Sequence, residues 1–145
     1  MIRSIGKVRT QFFEYDDRKR PFQLRLGPVL RRFTLAYEVY GRLNADRSNA
    51  VLLFHAMTGS QHAAGLNRDV PCLDGRWTDE LHEGWWDGFI GPGKALDTRR
   101  FCVICANYLG GCYGSTGPAS VNPDTGRRWG PAFPVLRMSD IVDSQ

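Results

Sequence analysis

Two short apolar runs constrain the fold of this chain more than any other feature of its sequence. They are residues 51–54 and residues 101–106, and neither run alternates with polar residues. A strand with one face in water shows such alternation, whereas an unbroken apolar run is typical of a strand covered on both faces. A loop containing glycine follows each run, at residues 55–59 and 107–111. The runs therefore predict buried strands of a mostly parallel, doubly wound α/β sheet.

Upstream of these runs, two alternating segments predict an antiparallel hairpin. Residues 22–26 and residues 33–40 both alternate apolar with polar side chains, and Gly27 and Pro28 between them are typical of a turn. We expect this hairpin to keep one face in water and to lead into the parallel sheet.

The second half of the chain is rich in residues that interrupt regular structure. The segment between the two apolar runs contains Trp77, Trp85, Trp86 and several glycines, so we expect no regular helix through its second half. Residues 111–134 are dense in Gly, Pro, Ser and Asn. Ordered loops of that length usually have a function.

Near Gln145, a short helix is expected. Ser139 would cap it, Asp140 would lie in its first turn, and Ile141 and Val142 would face a core. A helix of about two turns is marginal by itself, and buried strands need further βα units to cover them. We therefore expect residues 1–145 to form the N-terminal portion of a single larger α/β domain.

Composition and charge narrow the classes of function. The 145 residues are 42% hydrophobic and 23% charged, which is typical of a globular domain. The net charge of +4 comes from a basic N-terminal third without aromatic platforms, so we expect no nucleic-acid partner. The sequence contains neither a secretion signal nor a membrane-spanning run, so we expect a cytoplasmic protein with no membrane partner.

Cys102 and Cys105 form a C-x-x-C pair, a pattern that occurs in zinc sites. Residues three apart on a strand point to opposite faces, and no second pair of Cys or His follows at zinc-finger spacing. We therefore expect buried structural thiols and no metal. A cytosolic protein of this size needs no disulfides, so Cys72 and Cys112 are also expected to be unpaired.

Two glycine-rich segments come close to nucleotide-binding loops without matching them. Residues 88–95 nearly fit G-x-x-x-x-G-K-[ST], but Ala95 replaces the hydroxyl and Pro92 removes a backbone N–H. Residues 111–117 space their glycines as G-x-x-G-x-x-G rather than G-x-G-x-x-G, and Pro118 prevents the helix that should follow. We expect a rigid loop instead of a nucleotide site.

Three histidines, His55, His62 and His82, are candidate general bases. His55 follows a predicted buried strand, at the sheet edge where α/β proteins place their sites. The sequence contains no G-x-S-x-G nucleophile for such a base to serve. Hydrogen-bonded structural roles are therefore favoured for all three, and their spacing does not indicate a metal site.

Three blocks of sequence resemble the homoserine O-acetyltransferase family. They are residues 54–59 (FHAMTG), residues 84–94 (GWWDGFIGPGK) and residues 107–126, which contain NYLGGCYGSTGP and NPDTG. The resemblance runs over residues 33–145, and blocks of this length in this order are very specific. Met57 stands where the family usually has leucine and Trp129 where it often has tyrosine, and both exchanges largely conserve volume.

The resemblance implies the N-terminal part of an α/β-hydrolase fold and a CoA-dependent O-acetyltransferase of methionine biosynthesis. In this family a serine takes the acetyl group from the co-substrate acetyl-CoA, and L-homoserine then takes it from the serine in a ping-pong reaction. The enzymes act as homodimers with a helical lid and no bound cofactor. The resemblance also implies that the catalytic serine, aspartate and histidine lie beyond Gln145, so this chain alone is expected to be inactive.

The same resemblance assigns three consecutive residues to the site. In this fold the loop after the third strand supplies one of two oxyanion donors, and by position that donor is the backbone N–H of Met57. Thr58 resembles a residue that helps to bind homoserine, and its hydroxyl could equally bond to the local backbone. Gly59 would let the chain turn tightly away from the pocket. Residues 110–122 are expected to pack near that pocket without a catalytic role.

Two alternatives stay open from the sequence. Relatives with similar blocks succinylate homoserine or acylate serine, and pocket size discriminates weakly between such substrates. The other alternative is a truncated, non-enzymatic product that binds a ligand or pairs with a separate C-terminal half. Uncovered apolar faces and free strand edges disfavour that second alternative.

Overall fold

A computed structural model describes residues 4–73 and 75–145. The strands are β1 (Gln11–Asp16), β2 (Phe22–Gln23), β3 (Val29–Leu30), β4 (Arg32–Tyr40), β5 (Ala50–Leu53) and β6 (Cys102–Ala106). Two short 3₁₀ helices span Asp79–Leu81 and Gly130–Ala132, and one α-helix, α1, spans Met138–Ser144. No helix in these two ranges is both long enough and apolar enough to cross a membrane.

The main sheet contains four strands in the order β1-β4-β6-β5. β5 and β6 are parallel neighbours, with Ala50 opposite Cys102 and Leu53 opposite Cys105. β4 joins β6 and β1 in antiparallel fashion, which makes the sheet mixed. The two apolar runs therefore form adjacent parallel strands, as predicted, and their carboxyl ends lie side by side.

The predicted hairpin was wrong in its pairing. β4 pairs with β1, where Phe13 lies opposite Leu35, and not with residues 22–26. β2 pairs instead with β3 around a turn at Gly27, whose N–H donates to the Leu24 carbonyl. β1 offers β4 six paired residues, whereas the tight turn leaves β2 and β3 only two each. The protein forms the longer ladder between β1 and β4, although these two strands are farther apart in sequence than β2 and β3.

The burial of the strand faces also differs from the prediction. β4 has no solvated face, because Phe33 and Leu35 are buried on one side and Glu38 and Tyr40 on the other. Its central position in the sheet explains this. β6 is buried as predicted, but β5 is an edge strand, and Leu52 is 47% exposed.

Two apolar clusters flank the sheet. One consists of Tyr40, Ala63, Ala64, Ile90, Val103 and Cys105, and the other of Leu24, Leu30, Phe33, Leu35 and Leu109. The first cluster packs so closely that a Cβ on Gly84 would lie 2.2 Å from the Cα of Ala64. Loops rather than helices cover this side of the sheet, and the segment between β5 and β6 contains only the Asp79–Leu81 turn of helix among the described residues. The prediction of an irregular segment is confirmed.

Helix α1 begins two residues earlier than predicted. Arg137 occupies the N-cap, so Ser139 is not the cap. Asp140 is buried in the first turn and accepts hydrogen bonds from the Arg137 N–H at 2.7 Å and the Arg25 N–H at 2.8 Å. Asp140 thus satisfies the backbone N–H of the N-cap residue from the third helical position, and its negative charge suits the first turn. Val142 is 53% exposed and does not face a core.

Candidate functional site

The loop after β5 forms a tight turn that presents one peptide edge to solvent. The Gly59 N–H donates to the Ala56 carbonyl at 2.7 Å, which leaves Met57 and Thr58 as the two central residues of a β-turn. The ring Nδ1 of His55 lies 2.7 Å from the same carbonyl oxygen. A Cβ on Gly59 would lie 3.1 Å from that oxygen, so glycine suits this tight turn as predicted.

The loop after β6, the neighbouring strand, contacts His55 through Tyr108. The Tyr108 ring stacks on the His55 ring, with 3.8 Å between centroids and 22° between planes. The Tyr108 N–H lies 3.4 Å from His55 Nε2, and the Tyr108 hydroxyl donates to the His55 carbonyl. Parallel pairing of β5 and β6 puts the two loops side by side, since strands that run together also end together.

The two loops enclose a cavity of about 330 Å³. It is lined by His55, residues 57–59, Asn107, Tyr108 and residues 111–113. All three predicted site residues, Met57, Thr58 and Gly59, therefore share one cavity. Met57 is 88% exposed, and neither its N–H nor the Thr58 hydroxyl makes a hydrogen bond within residues 4–73 and 75–145. The local bond considered for Thr58 is thus not formed by the described residues.

His55 has its ring nitrogens engaged with the backbone. Because Nδ1 faces a carbonyl oxygen, Nδ1 carries the proton, and Nε2 is left to accept from the Tyr108 N–H. Burial lowers the pKa of His55 and outweighs the Ala56 carbonyl and Asn107, which act in the opposite direction. A neutral ring with both nitrogens occupied is a structural element and not a free general base, as predicted.

His62 belongs to a buried polar cluster away from this cavity. Its Nδ1 lies 2.8 Å from Glu38 Oε2 and its Nε2 lies 3.0 Å from the His82 carbonyl oxygen. Tyr40 donates to the same Glu38 oxygen, and burial together with the Glu38 charge raises the pKa of Tyr40 well above its usual value. The His82 ring lies 3.5 Å from Asp79 on the surface. Both histidines therefore have polar partners, in line with the structural roles favoured from the sequence.

Residues 88–95 form a structural loop and not a phosphate cradle. The Lys94 ammonium is only 3% exposed and donates to both the backbone carbonyl and the carboxylate of Asp87. Burial raises the pKa of Asp87, but the Gly65 N–H and Lys94 outweigh it and keep that pKa below its usual value. The lysine that a phosphate would need is thus committed to an internal ion pair.

The long loop after β6 is pinned to β4. The Ser115 hydroxyl donates to the Asn107 carbonyl at 2.6 Å and accepts from the Ala36 N–H at 3.0 Å. Thr116 exchanges two further hydrogen bonds with the Thr34 backbone, each 2.8 Å long. This loop forms one wall of the cavity, and its expected rigidity stays a prediction that these hydrogen bonds support.

The cysteines divide by burial. Cys102 and Cys105 are buried on β6, and burial raises the pKa of both thiols, that of Cys105 to about 12. Cys72 and Cys112 are exposed, and all four thiols are free. Within residues 4–73 and 75–145 no group of three His, Cys, Asp or Glu is arranged to hold a metal ion. The C-x-x-C pair is therefore part of the core.

In sequence, the chain is similar to curated homoserine O-acyltransferases along nearly its whole length. It is 52% identical to a homoserine O-succinyltransferase of Azoarcus sp. (strain BH72), over 98% of this chain and 35% of that protein. It is 50% identical to a homoserine O-acetyltransferase of Methanococcoides burtonii, over 99% of this chain and 27% of that protein. The chain is a homologue of homoserine O-acyltransferases. It spans about a third of the length of these relatives, and no protein-family model matches it.

Solved structures agree with this family. The chain superposes on esterase E22 with a TM-score of 0.77 and 36% identity, covering 96% of this chain and 36% of the esterase. It superposes on the homoserine O-acetyltransferase of Bacillus anthracis with a TM-score of 0.74 and 34% identity, covering 95% of this chain and 35% of that enzyme. The fold is the N-terminal part of an α/β-hydrolase fold, as predicted. The similarity also extends upstream of residue 33, where the resemblance seen in the sequence begins.

Sequence reasoning overlooked Tyr108 as part of the site. The signal was available, because Tyr108 follows the second apolar run just as His55 and Ala56 follow the first. The rule that parallel strands end at one edge would have brought the two loops together. What no local pattern indicated is that the tyrosine ring stacks on the histidine ring.

Proposed function

We propose that the protein carrying this chain is a homoserine O-acetyltransferase, which transfers acetyl from acetyl-CoA to the hydroxyl of L-homoserine. The observation that carries the proposal is that Met57 is exposed and lines the cavity at the carboxyl ends of β5 and β6, while its N–H has no partner within the described ranges. Similarity to homoserine O-acyltransferases supports the substrate class. The proposal goes further than this class in naming acetyl-CoA as the donor and L-homoserine as the acceptor.

Acyl transfer needs a donor of this kind. Attack on a thioester carbonyl makes a tetrahedral oxyanion, and a preorganised backbone N–H stabilises that charge more than it stabilises the ground state. The Met57 N–H is one donor in this proposal, and the residue after the nucleophile supplies the other. A serine outside this chain takes the acetyl group, releases CoA and then passes the acetyl group to homoserine. The 145-residue chain by itself is inactive in this scheme.

Thr58 and Gly59 complete the proposed site. Thr58 lines the cavity, and its hydroxyl has no hydrogen-bond partner among the described residues, so it is available to a polar substrate such as an amino acid. Gly59 contributes its turn, which keeps Met57 and Thr58 at the cavity mouth. Removing the Thr58 hydroxyl should therefore raise the KM for homoserine more than it lowers kcat.

The decisive experiment measures release of the CoA thiol by the full-length protein that contains this sequence. Its intact mass is recorded first and compared with the 16.4 kDa of these residues. Acetyl-CoA and succinyl-CoA are each offered with L-homoserine, with L-serine and with no acceptor. Fast thiol release with acetyl-CoA that depends on homoserine supports the proposal. Preference for succinyl-CoA or serine reassigns the substrate, and no release in any mixture rejects the function.

Ester hydrolysis is the second candidate, favoured by the similarity to esterase E22. An acyl-serine that meets water instead of homoserine gives a hydrolase, and the oxyanion donor serves both reactions equally. The mixture without acceptor separates the two functions. An esterase releases thiol or cleaves a simple acetate ester at a rate that homoserine does not change.

A proline substitution tests the Met57 N–H directly. Met57 is the first central residue of its turn, where proline is favoured, so Met57→Pro removes the N–H while the turn is retained. We expect kcat to fall roughly 100- to 1,000-fold, as for loss of one oxyanion donor. Met57→Leu is the matched control, because it keeps the N–H, and its kcat should change by less than about 3-fold.

Assembly and location form the remaining part of the proposal. Family resemblance supports a homodimer and a cytoplasmic protein, in which both substrates of the acyl transfer are soluble metabolites. Light scattering on the full-length protein measures the oligomeric state, and cell fractionation measures the location.

A further inference from the structure

We infer that His55 is a positioning residue that sets the direction of the Met57 N–H. The inference deepens the proposed function and rests on it for its catalytic meaning. The inference is argued from the contacts of the 55–59 loop. The His55 ring holds the Ala56 carbonyl, which belongs to the same peptide group as the Met57 N–H.

The peptide bond between Ala56 and Met57 transmits the effect. A trans peptide is planar, and its C=O and N–H point in opposite directions. The Ala56 oxygen is held by two donors, the Nδ1–H of His55 and the N–H of Gly59, each at 2.7 Å. Holding the oxygen on one side fixes the Met57 N–H on the other side, where the described residues supply no acceptor for it.

The histidine ring is itself fixed, as a positioning residue requires. Tyr108 stacks on the ring at 3.8 Å, and its N–H lies 3.4 Å from Nε2. The side chain of His55 is buried, with only 5% of the residue exposed. An amide donor that must not move during reaction benefits from such support, since misplacement by about 1 Å can cost 100-fold in rate.

Two substitutions at this position separate the donor from the ring. His55→Asn places an amide N–H near the position of Nδ1 and removes the ring. His55→Phe keeps a ring to stack on Tyr108 and removes the donor. A purely structural role predicts that thermal stability and activity follow the ring, whereas positioning predicts that kcat follows the donor.

The test compares kcat and KM for acyl transfer in the full-length protein and both variants, together with the orientation of the 56–57 peptide in their crystal structures. We expect His55→Phe to lower kcat roughly 10- to 100-fold with KM nearly unchanged, and to rotate the peptide. His55→Asn should retain most of kcat and the wild-type peptide orientation. The inference is overturned if His55→Phe keeps both the rate and the orientation, or if His55→Asn loses both.

Failure of the proposed function is distinguishable from failure of this inference. If the wild-type protein neither releases thiol from an acyl-CoA nor cleaves an acetate ester, the proposed function is wrong, and the peptide orientation in the two variants still decides the role of His55. If His55→Phe does not fold, His55→Gln replaces it in the test. The glutamine amide lies farther along the side chain than Nδ1, so this variant also removes the donor from its position beside the Ala56 oxygen. A wild-type rate and peptide orientation in His55→Gln would then overturn the inference.

Discussion

Nδ1 of His62 lies 2.8 Å from Oε2 of Glu38, and both side chains are closed off from solvent. The Glu38 carboxylate also accepts from Tyr40 at 2.8 Å, from Asn67 at 2.8 Å and from Thr10 at 2.9 Å. A buried charge is tolerated only when its lone pairs are satisfied, and here four donors surround it. The cluster joins β4 to the segment after β5, which carries His62 and Asn67.

Replacing Glu38 with glutamine should destabilise the protein strongly. One end of the amide is a donor, so the two groups that meet that end, either Thr10 and Asn67 or Tyr40 and His62, lose their acceptor. Leaving a buried donor without an acceptor costs about 1 to 3 kcal/mol. Urea unfolding of the purified protein measures the change. Glu14→Gln on β1 is the matched control, because Glu14 is exposed, and equal unfolding midpoints for both variants would contradict the prediction.

Gly84→Ala should prevent normal folding, whereas Gly88→Ala should be tolerated. A Cβ on Gly84 would lie 2.2 Å from the Cα and N of Ala64, which are backbone atoms that cannot swing aside. Overpacking of this severity costs about 3 kcal/mol or more. A Cβ on Gly88 meets nothing within 4 Å. Soluble yield and thermal unfolding of the two variants compare them, and a stable Gly84→Ala protein would show that the loop packs less tightly.

Lys94→Met should destabilise the loop of residues 88–95. The substitution leaves the Asp87 carboxylate without its cation, although the Gly65 N–H still donates to it at 2.7 Å. We expect a loss of about 2 to 3 kcal/mol by chemical denaturation. Lys19→Met is the control, because the Lys19 side chain is exposed. Equal effects at the two lysines would argue against the internal ion pair.

His55 should make the protein less stable as the solution is acidified below about pH 6.5. Burial lowers its pKa in the folded protein, so in this window the unfolded chain binds a proton that the folded chain does not. Stability is therefore retained above the unfolded value and lost as pH falls towards the folded value. The wild-type protein and His55→Asn are compared by thermal unfolding between pH 7 and pH 5. The wild type should lose more stability, and parallel curves would be contrary to expectation.

Thiol reactivity should divide the four cysteines into two pairs. Cys72 and Cys112 are exposed and should react with iodoacetamide in the native protein. Cys102 and Cys105 are buried with raised pKa values, so they should react only after unfolding, since the thiolate is the nucleophile. Peptide mass mapping before and after denaturation identifies the labelled sites. Native labelling of Cys105 would mean that β6 opens readily.

The sequence by itself determined those features that depend on local pattern. Unbroken apolar runs identified β5 and β6, and the glycine-rich loops after them identified the edge that carries the candidate site. Met57, Thr58 and Gly59 were named from the blocks they share with a family. Hydrophobic periodicity and turn chemistry each depend on a few neighbouring residues, so they can be recognised directly in the sequence.

Only the tertiary structure decided which distant segments meet. β4 pairs with Gln11–Asp16 because that ladder is longer than the one residues 22–26 could form, and the sequence pattern cannot rank ladders that close loops of different length. Glu38 is charged and lies on an alternating strand, yet it is buried, because Thr10, Asn67 and His62 converge on it from other segments. The stacking of Tyr108 on His55 likewise depends on parallel strand register, a long-range property that no local pattern encodes.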